Sequence, residues 1–408
     1  MGLKRWVGFS VCSGLFLMSM LFRSSSAVIA PDLARDLAIG PESLGLLGAA
    51  FFYASGLAQL PLGVTLDRIG SRRTMIWLNL VGGLGAVIFS QASSLAWSLT
   101  GRALLGLGMS SNLMGPFNLF TKWFKPHEFA TVSGLMVSIG ALGAILATTP
   151  LVLLVQELNW RGAYLLLAFV NLSLTIGLAL LVQDEPPEKT GAPAPARPAS
   201  ALESLGTLMK EPSYWAIAFS AGLRYGAFAA IQTLWAGPFL ILYLGLPPVT
   251  AGNLLLLISI GVIVGAPAGG FFSDRIIRSR KKAILLSLTA MAACVLILAL
   301  WPGPTHLVLL AAIMFTFGLM GFSGQLAYAH IKELMPGRMA GTAMTGVNFF
   351  VFIGAGFFVQ GLGYVLQRSA GTGLESGRDY RTAFLLCFAA LALSALAEAF
   401  SRDAAVRG

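Results

Sequence analysis

Two long apolar runs are joined by Gly63-Val64-Thr65-Leu66-Asp67-Arg68-Ile69-Gly70-Ser71-Arg72-Arg73. The pattern returns in the second half of the chain as Gly270-Phe271-Phe272-Ser273-Asp274-Arg275, followed by further basic residues. Each copy places a glycine, an acid and a basic cluster between two apolar runs. The same device at equivalent places in both halves indicates an internal repeat.

Apolar runs recur along the whole chain. Hydrophobic residues make up 56% of it, charged residues 11%, and the mean hydropathy is +0.79, which excludes an ordinary soluble domain. Twelve runs are long enough to cross about 30 Å of hydrocarbon, and in lipid each must be helical to satisfy its own backbone. They cover residues 6–30, 44–66, 74–92, 95–119, 128–155, 162–182, 213–244, 249–273, 283–301, 305–331, 338–366 and 380–401. We therefore predict an all-α polytopic membrane protein and number its transmembrane helices as spans 1 to 12.

A polar stretch at 183–212 separates the spans six and six, and it is rich in proline and alanine. Such a composition is typical of a flexible linker. We predict an N-terminal six-helix half at 1–182, a cytoplasmic linker at 183–212 and a C-terminal six-helix half at 213–408. The N-terminus resembles a signal peptide, but Arg23 interrupts the match and the run is long enough to span, so we predict an uncleaved first helix.

The basic residues account for the net charge of +10 through their positions. If the N-terminus is cytoplasmic, 19 of the 27 Lys and Arg residues fall on cytoplasmic segments and 5 on outer loops. This is the positive-inside asymmetry of membrane proteins. The charge therefore indicates topology, with both termini on the cytoplasmic side of the inner membrane, and it argues against a nucleic-acid partner.

Cysteine and histidine carry no recognisable metal or redox pattern. The three cysteines are interpreted as small packing residues, and the three histidines are scattered near span ends. These residues are Cys12, Cys294, Cys387, His127, His306 and His330. With no nucleotide-binding loop either, the sequence predicts neither an enzyme nor a metal site.

Three arginines, Arg23, Arg102 and Arg224, lie inside the apolar spans. None of the 17 carboxylates lies in the middle of a span, and Glu398 is near the cytoplasmic end of the last one. A guanidinium keeps its charge, and an unpaired cation is costly in lipid. The buried arginines therefore need wet surroundings or a negatively charged ligand.

Arg224, in Leu223-Arg224-Tyr225-Gly226, lies about 16 Å along span 7 and so near the middle of the bilayer. Arg23 lies somewhat beyond the middle of span 1, and helical side chains point back toward the N-terminus. Spans 1 and 7 are equivalent in the two halves, so the two arginines can converge on one phosphate or carboxylate. The alternative is that each binds backbone carbonyls or snorkels.

The motif Gly-x-x-x-Asp-Arg-x-Gly-x-Arg-Arg between spans 2 and 3, echoed between spans 8 and 9, resembles the loop motif of the major facilitator superfamily. The resemblance extends over the whole chain through span number, linker and orientation. It implies two pseudo-symmetric six-helix halves with the substrate between them near mid-membrane, working by alternating access. It also implies a monomer.

The loop glycines permit close helix approach, and the loop acids can pair with basic residues and helix N-termini. We predict a latch that closes the cytoplasmic side; the alternative is that these charges only fix topology. The predicted gating residues are Gly63, Asp67, Arg68, Arg72, Arg73, Gly270, Asp274 and Arg275. Arg102, in Arg102-Ala103-Leu104-Leu105-Gly106-Leu107-Gly108, is similar to a superfamily arginine motif and is grouped with them, although direct substrate contact stays open for it.

Arg23 with Pro31, and the motif around Arg224, look like the organophosphate:phosphate antiporter branch, whose arginines on helices 1 and 7 bind phosphate. Trp123-Phe124 with Glu128 is also similar to that branch. Two positions depart from it: Gln59 stands where the branch has a lysine, and span 5 has no histidine where the branch carries one. A monocarboxylate or sugar acid needs fewer positive partners than a phosphate dianion, so these departures favour it.

Other polar and aromatic residues are predicted to complete the cavity. They are Tyr53, Gln59, Tyr225, Gln232, Trp235, Gln325, Tyr328 and Asn348. Each has the alternative of bonding a neighbouring helix. Gly237-Pro238 and Ala266-Pro267 are predicted bends of spans 7 and 8, because proline removes a backbone hydrogen bond.

The sequence thus predicts a secondary transporter for a small organic anion, which is a carboxylate, a sugar acid or an organophosphate. Exchange against another anion fits it, and so does co-transport with a proton carried by the substrate. A drug/proton antiporter is one alternative, but it calls for an embedded acid and for a Gly-Pro-rich motif where span 5 offers Gly140-Ala141-Leu142-Gly143. An anion receptor with a transporter's shape is the other, since it needs the same arginines.

Overall fold

The structure is a computed structural model that describes residues 2–184, 208, 210–301, 306–335, 340–370 and 377–403. Within these residues the regular elements are helices. The α-helices are Gly2–Ser24, Ser26–Leu37, Pro41–Arg68, Ser71–Ser90, Leu95–Met109, Met114–Trp123, Pro126–Leu146, Thr149–Leu181, Pro212–Ala230, Ala236–Pro238, Pro248–Phe271, Arg280–Ala299, Leu307–Leu319, Ser323–Leu334, Ala340–Ala370 and Gly377–Ala399. Shorter π and 3₁₀ segments join some of them.

Ten helices in the described part of the chain are long and apolar enough to cross a membrane. They account for spans 1 to 3 and 6 to 12. Spans 4 and 5 are each broken: span 4 at Ser110–Leu113, between Leu95–Met109 and Met114–Trp123, and span 5 at Ala147–Thr148. The helix Thr149–Leu181 then contains the end of span 5 and all of span 6, with a turn at Asn159, whose φ is 53°. The predicted all-α fold with twelve transmembrane helices is confirmed.

Spans 1 and 7 depart from regular α-helix beside their arginines. Span 1 is interrupted at Ser25, whose hydroxyl donates to the carbonyl of Phe22 at 3.0 Å and so competes with the backbone ladder. Span 7 changes to π-helix at Ile231–Trp235 and at Phe239–Tyr243, on either side of Pro238. Proline lacks the N–H that helical hydrogen bonding needs, so span 7 is irregular around Pro238, where the sequence predicts a bend. Span 8 runs as α-helix through Pro267 and becomes π-helical at Phe272–Ile277.

Large apolar side chains stand exposed on the outside of the helices. Trp77 and Phe169 are each 69% exposed, and Val308 is 85% exposed. In water such a surface would drive aggregation, whereas in a bilayer lipid chains cover it. Together with the helix lengths, this surface establishes an integral multi-pass membrane protein.

The backbone contacts divide the chain into two compact units. One contains residues 1–39 and 50–195, and the other contains 40–49 and 196–408. The first turns of span 2 therefore belong to the second unit, a detail absent from the predicted division at 183–212. Most of that linker lies outside the described residues, so its flexibility stays a prediction.

Each unit has its own apolar core. In the first unit Phe9, Met75 and Phe120 belong to one buried cluster, and in the second Ile217, Ile331 and Val347 belong to another. Glycines bring the helices together in places. A Cβ at Gly106 would collide with the carbonyl of Phe51, so spans 2 and 4 touch through their backbones.

Candidate functional site

Arg224 lies in the interior of the second unit, on the regular part of span 7. Its residue is 5% exposed, and its Nε is buried with no hydrogen-bond partner among the described residues. The Nη2 atom approaches the backbone of span 10 so closely that a Cβ at Gly324 would lie 2.6 Å from it. A glycine at 324 thus makes room for the guanidinium, which keeps hydrogen-bonding capacity for a ligand.

Aromatic and amide groups surround this guanidinium. Its Cζ lies 5.5 Å from the centre of the Tyr225 ring, a distance at which a cation and a ring face attract. On span 10, one turn beyond Gly324, Tyr328 donates its hydroxyl hydrogen to the Oδ1 of Asn348 at 2.8 Å. The structure thus brings four predicted residues, Arg224, Tyr225, Tyr328 and Asn348, to one region of the second unit.

Arg23 lies in the first unit, two residues before the interruption of span 1 at Ser25. It is half-buried, and its Nη2 lies 2.7 Å from the sulfur of Met20. The interruption is held by Tyr164, whose hydroxyl lies 2.5 Å from Ser25 Oγ. The convergence of Arg23 with Arg224 stays a prediction, because the two arginines belong to different units.

Arg102 is 1% exposed, and its guanidinium is bonded within the first unit. It donates to the carbonyl of Phe22 at 3.2 Å, to Tyr164 Oη at 3.3 Å and to Ser26 Oγ at 2.7 Å. Its charge also lies over the rings of Phe51 and Phe89. Arg102 therefore fastens the interruption next to Arg23, which favours the structural role among those open to it.

A buried asparagine cluster joins the helices of the first unit, a pairing that sequence analysis did not predict. Asn79 and Asn112 exchange two amide hydrogen bonds of 2.7 and 3.0 Å. Asn112 also donates to the carbonyl of Leu15, and Asn171 donates to that of Asn79, so spans 1, 3, 4 and 6 are joined. The sequence signal for this cluster is that Asn79 and Asn112 are polar residues inside apolar runs.

Two residues predicted to face the cavity bind a neighbouring helix instead. Gln59 is buried, and its Nε2 donates to the carbonyl of Ser110 at the break in span 4, at 3.3 Å. Trp235 is fully buried, and its Nε1 donates to the carbonyl of Val359 on span 11, at 3.0 Å. Both donors are used inside the protein, because an amide or indole N–H within a membrane needs an acceptor.

The remaining predicted cavity residues are spread along different helices. Tyr53 and Gln232 are half-buried, and Gln325 is exposed beside Gly324 on span 10. Tyr53 belongs to the first unit and the other two to the second, and a place for these three in the cavity stays a prediction.

The loop between spans 2 and 3 is held by an acid that sequence analysis did not select. Asp184, at the end of span 6, accepts from the backbone N–H of Arg72 at 2.8 Å, and Arg72 Nη2 donates to the carbonyl of Ala179. Gly70 has φ 95°, and a Cβ there would lie 2.9 Å from Asp184 Oδ2, so both conformation and space require glycine. Arg68 and Arg73 are exposed.

The loop between spans 8 and 9 repeats this arrangement. Asp403, beyond span 12, accepts from the backbone N–H of Lys281 at 3.4 Å, and Lys281 Nζ donates to the carbonyl of Ala399 at 2.7 Å. Arg280 pairs with Glu333 at the end of span 10, at 3.1 Å. The internal repeat read from the sequence therefore recurs as a repeat of contacts, each within its own unit.

Not every predicted gating residue takes part. Arg275 is exposed and lies over the ring of Phe271. No described atom comes within 4 Å of a Cβ built at Gly270, and the close helix approach expected there stays a prediction. Gly63 and the side chains of Asp67 and Asp274 lie outside what the structure describes, so the latch through those acids stays a prediction. No group of metal-ligating side chains was found among the described residues.

Known proteins resemble this chain over nearly its whole length. It is 22% identical over 411 residues to the probable sulfoacetate transporter SauU of Cupriavidus necator, covering 95% of this chain and 91% of that protein. It is 25% identical over 378 residues to the D-galactonate transporter of Escherichia coli, covering 84% and 86% of the two chains.

A solved structure shares the fold. The bacterial homologue of the human lysosomal transporter Spinster superposes with a TM-score of 0.79 at 14% identity, covering 98% of this chain and 97% of that one. The family model described as Major Facilitator Superfamily matches residues 11–359.

Proposed function

The chain belongs to the Major Facilitator Superfamily, and we propose that it carries a small organic anion across the membrane by alternating access, with Arg23 and Arg224 holding the anion. Family and relatives are transporters, which confirms that the chain is not an enzyme. The finer proposal concerns the charge of the substrate and the residues that bind it.

The proposal depends on one observation: Arg224 is a buried cation with a guanidinium N–H that makes no hydrogen bond to the described residues. Its Nε has no hydrogen-bond partner among the described residues, and the ion pairs within those residues do not include it. A buried guanidinium left this way is costly, and a carboxylate or similar oxyanion would satisfy both its charge and its donors. Tyr225 offers a ring face beside it, and the pair of Tyr328 and Asn348 offers further polar atoms.

Arg23 supplies the second positive charge in this proposal. It lies in span 1, and the internal repeat makes spans 1 and 7 equivalent. Arg102 acts as a positioning residue for Arg23, because its hydrogen bonds to Phe22 and Ser26 fix the helix interruption that follows Arg23.

The substrate class that we favour is a small carboxylate or sulfonate, with sugar acids included. With glutamine at position 59 and no histidine in span 5, two cationic side chains are left where the organophosphate branch has more. Two cationic side chains suit a substrate with one negative charge. The named substrates of the relatives, sulfoacetate and D-galactonate, are small organic acids and support this class. The positive-inside distribution supports both termini in the cytoplasm, at the inner membrane, and we expect a monomer.

Uptake into proteoliposomes tests the proposal. The panel contains a sugar acid, a sulfonated two-carbon acid, an aromatic carboxylate, glycerol phosphate and an organic cation. We expect uptake of an acid by the wild type, and a loss of at least about 100-fold in Arg224→Ala and in Arg23→Ala, because a buried charged hydrogen bond contributes about 3 kcal/mol.

Arg35→Ala, which removes an exposed arginine outside the predicted binding and gating residues, is the matched control and should transport like the wild type. Transport of only cations or neutral compounds, or normal uptake by both arginine variants, would overturn the proposal. Binding of an acid without any flux would instead identify an anion receptor.

A further inference from the structure

A histidine and a carboxylate are buried together where spans 10 and 12 end beside the basic loop. His330 is 0% and Glu398 1% exposed, and His330 Nδ1 lies 2.9 Å from Glu398 Oε1. On the other side of the ring, Nε2 lies 2.8 Å from the backbone carbonyl of Arg402. The sequence showed each residue as an isolated group near a span end, and neither has a part in anion binding.

The partners of His330 fix where its hydrogens must be. A backbone carbonyl only accepts hydrogen bonds, so Nε2 carries a hydrogen. A contact of 2.9 Å between Nδ1 and Oε1 needs a hydrogen as well, because two lone pairs would otherwise repel. That hydrogen is either on the ring, giving imidazolium and carboxylate, or on the acid, giving neutral imidazole and carboxylic acid. In both forms the pair holds one proton and has no net charge.

The second oxygen of Glu398 shows what this proton does. Oε2 is buried without a hydrogen-bond partner among the described residues, and Ser401 Oγ reaches only Oε1, at 3.3 Å. An ionised carboxylate with one bare oxygen is costly away from water. If the proton left, the neutral ring would have one N–H for two acceptors, Glu398 Oε1 and the carbonyl of Arg402, so the observed packing depends on the proton.

The pair lies under a segment that we call the C-terminal strap, residues 399–403. Lys281 Nζ binds the carbonyls of Ala399 and Ser401 at 2.7 and 2.8 Å, and Ser279 Oγ donates to Asp403 at 2.6 Å. The backbone N–H of Arg402 reaches Ser213 Oγ at 3.4 Å. The strap thus ties spans 7, 9, 10 and 12, and the ring of His330 is its innermost anchor.

We propose that His330 and Glu398 form a proton-binding site, and that the bound proton keeps the C-terminal strap seated. When the proton leaves to water, the neutral imidazole keeps one N–H, so either its bond to Glu398 or its bond to the carbonyl of Arg402 is lost, and the strap loosens. The proton site does not depend on which anion is transported, so the failure of either proposal leaves the other unaffected.

The charged groups on the neighbouring elements are paired elsewhere or exposed. Span 10 adds Glu333, which pairs with Arg280 of span 9, and an exposed Lys332. The strap adds Arg402, whose guanidinium is 3.9 Å from Glu211 before span 7, and Asp403, which is held at Lys281. Span 7 faces the strap with the polar Ser213. Among the described residues, His330 is the ion-pair partner of Glu398.

Thermal unfolding of the full chain in nanodiscs, followed between about pH 6 and pH 9, tests the proton site. The unfolded chain no longer holds the proton of a free histidine above about pH 6.5, whereas the packing of the folded chain needs a proton on the pair, so the unfolding midpoint should fall as the pH rises. In Glu398→Gln the amide N–H donates to Nδ1 at every pH. The fall of the unfolding midpoint between about pH 6 and pH 9 should therefore be at least about 2 °C smaller in this variant than in the wild type.

Glu333→Gln, the neighbouring exposed acid on span 10, is the matched control and should keep the wild-type profile. Parallel profiles for the wild type and Glu398→Gln would overturn the proton site. If Glu398→Gln does not fold, His330→Gln replaces it, because its amide can also bond the strap carbonyl but cannot exchange a proton; a profile parallel to the wild type would again overturn the site.

A spin label tests the coupling to the strap. The side chain of Arg402 is 77% exposed, so Arg402→Cys accepts a label while its backbone carbonyl stays at His330. We expect an immobile label at about pH 6 and a mobile one at about pH 9, and an immobile label at both in combination with Glu398→Gln. Equal mobility at both pH values in the otherwise wild-type chain would overturn the coupling.

Discussion

Arg102 and Arg224 show how two arginines with the same setting in the sequence differ in the fold. Both lie inside apolar spans and both are buried. Arg102 has a donor on each of three acceptors within its own unit, whereas Arg224 retains a buried Nε without one among the described residues. Arg102 therefore stabilises the first unit, whereas Arg224 supports the proposal of an anion-binding site.

Replacement of Arg102 by Met should destabilise the protein without touching a substrate group. Ser26 Oγ would lose its donor, and Phe22 O and Tyr164 Oη would each keep only the contact with Ser25. These losses together cost about 2–4 kcal/mol after the gain from removing the charge. Thermal unfolding in detergent measures this loss. Arg73→Met removes an exposed arginine and should change the free energy of unfolding by less than about 0.5 kcal/mol; equal effects of the two variants would contradict the fastening role.

Asp36, in the helix Ser26–Leu37, should make the stability of the protein depend on pH in the acid range. The indole N–H of Trp160 at 2.9 Å, together with the hydrogen bond and charge of Arg161, holds the pKa of this carboxyl below its ordinary value. A lowered pKa contributes stability above the pH where a free aspartate titrates, and that stability is lost as the pH falls through the lowered value.

Asp36→Asn should therefore lower the free energy of unfolding by up to about 1 kcal/mol at pH 7, a value limited by solvent screening of a partly exposed pair. The difference should vanish at about pH 3 and below, where Asp36 also becomes neutral in the wild type. Asp32→Asn on the same helix is the control, because Asp32 pairs with the exposed Arg35. A pH-independent effect of Asp36→Asn would contradict this account.

At the scale of elements, glycines decide where helices touch. Gly45, near the start of span 2, packs on span 11, where a Cβ would lie 2.9 Å from Val359 O and 3.0 Å from Gln360 O. Trp235 donates to the same carbonyl of Val359, so this contact joins spans 2, 7 and 11 within the second unit. Alternating access requires helices that meet closely at one end of the protein, and this is such a place.

Gly45→Ala should weaken this contact, because the backbone oxygens of span 11 must move away from the added methyl group. We expect a loss of about 1–3 kcal/mol in the free energy of unfolding and a changed transport rate. Gly361→Ala is a close control: it makes the same change on span 11, where no described atom comes within 4 Å of the added carbon. If both variants unfold at the wild-type temperature, the contact is not tight.

At the scale of the whole molecule, twelve spans place both termini on one side and fix the side of every loop. Arg73 and Pro247 are exposed in loops that an odd number of spans separates, so they should lie on opposite sides. In intact cells, a membrane-impermeant maleimide should label Pro247→Cys and should label Arg73→Cys only after permeabilisation. The native cysteines are buried and serve as the unlabelled background; the reverse pattern would contradict the predicted orientation.

The sequence alone determined the number of spans, the repeat of the two halves and the arginines worth testing. These follow from local physics: hydrocarbon thickness sets the length of a helix, and a charge inside an apolar run is costly wherever the run packs. The irregular part of span 7 was also predictable, since proline removes a hydrogen bond regardless of its neighbours.

The tertiary structure alone decided which polar groups meet. The partners Asp184 for Arg72, Asn112 for Asn79 and Glu398 for His330 lie far along the chain, and Trp235 gives its donor to Val359 rather than to a ligand. Whether a polar side chain faces a cavity or a neighbouring helix depends on the rotation of each helix about its axis. That rotation is set by packing among all the helices of a unit, which no single segment of the sequence contains.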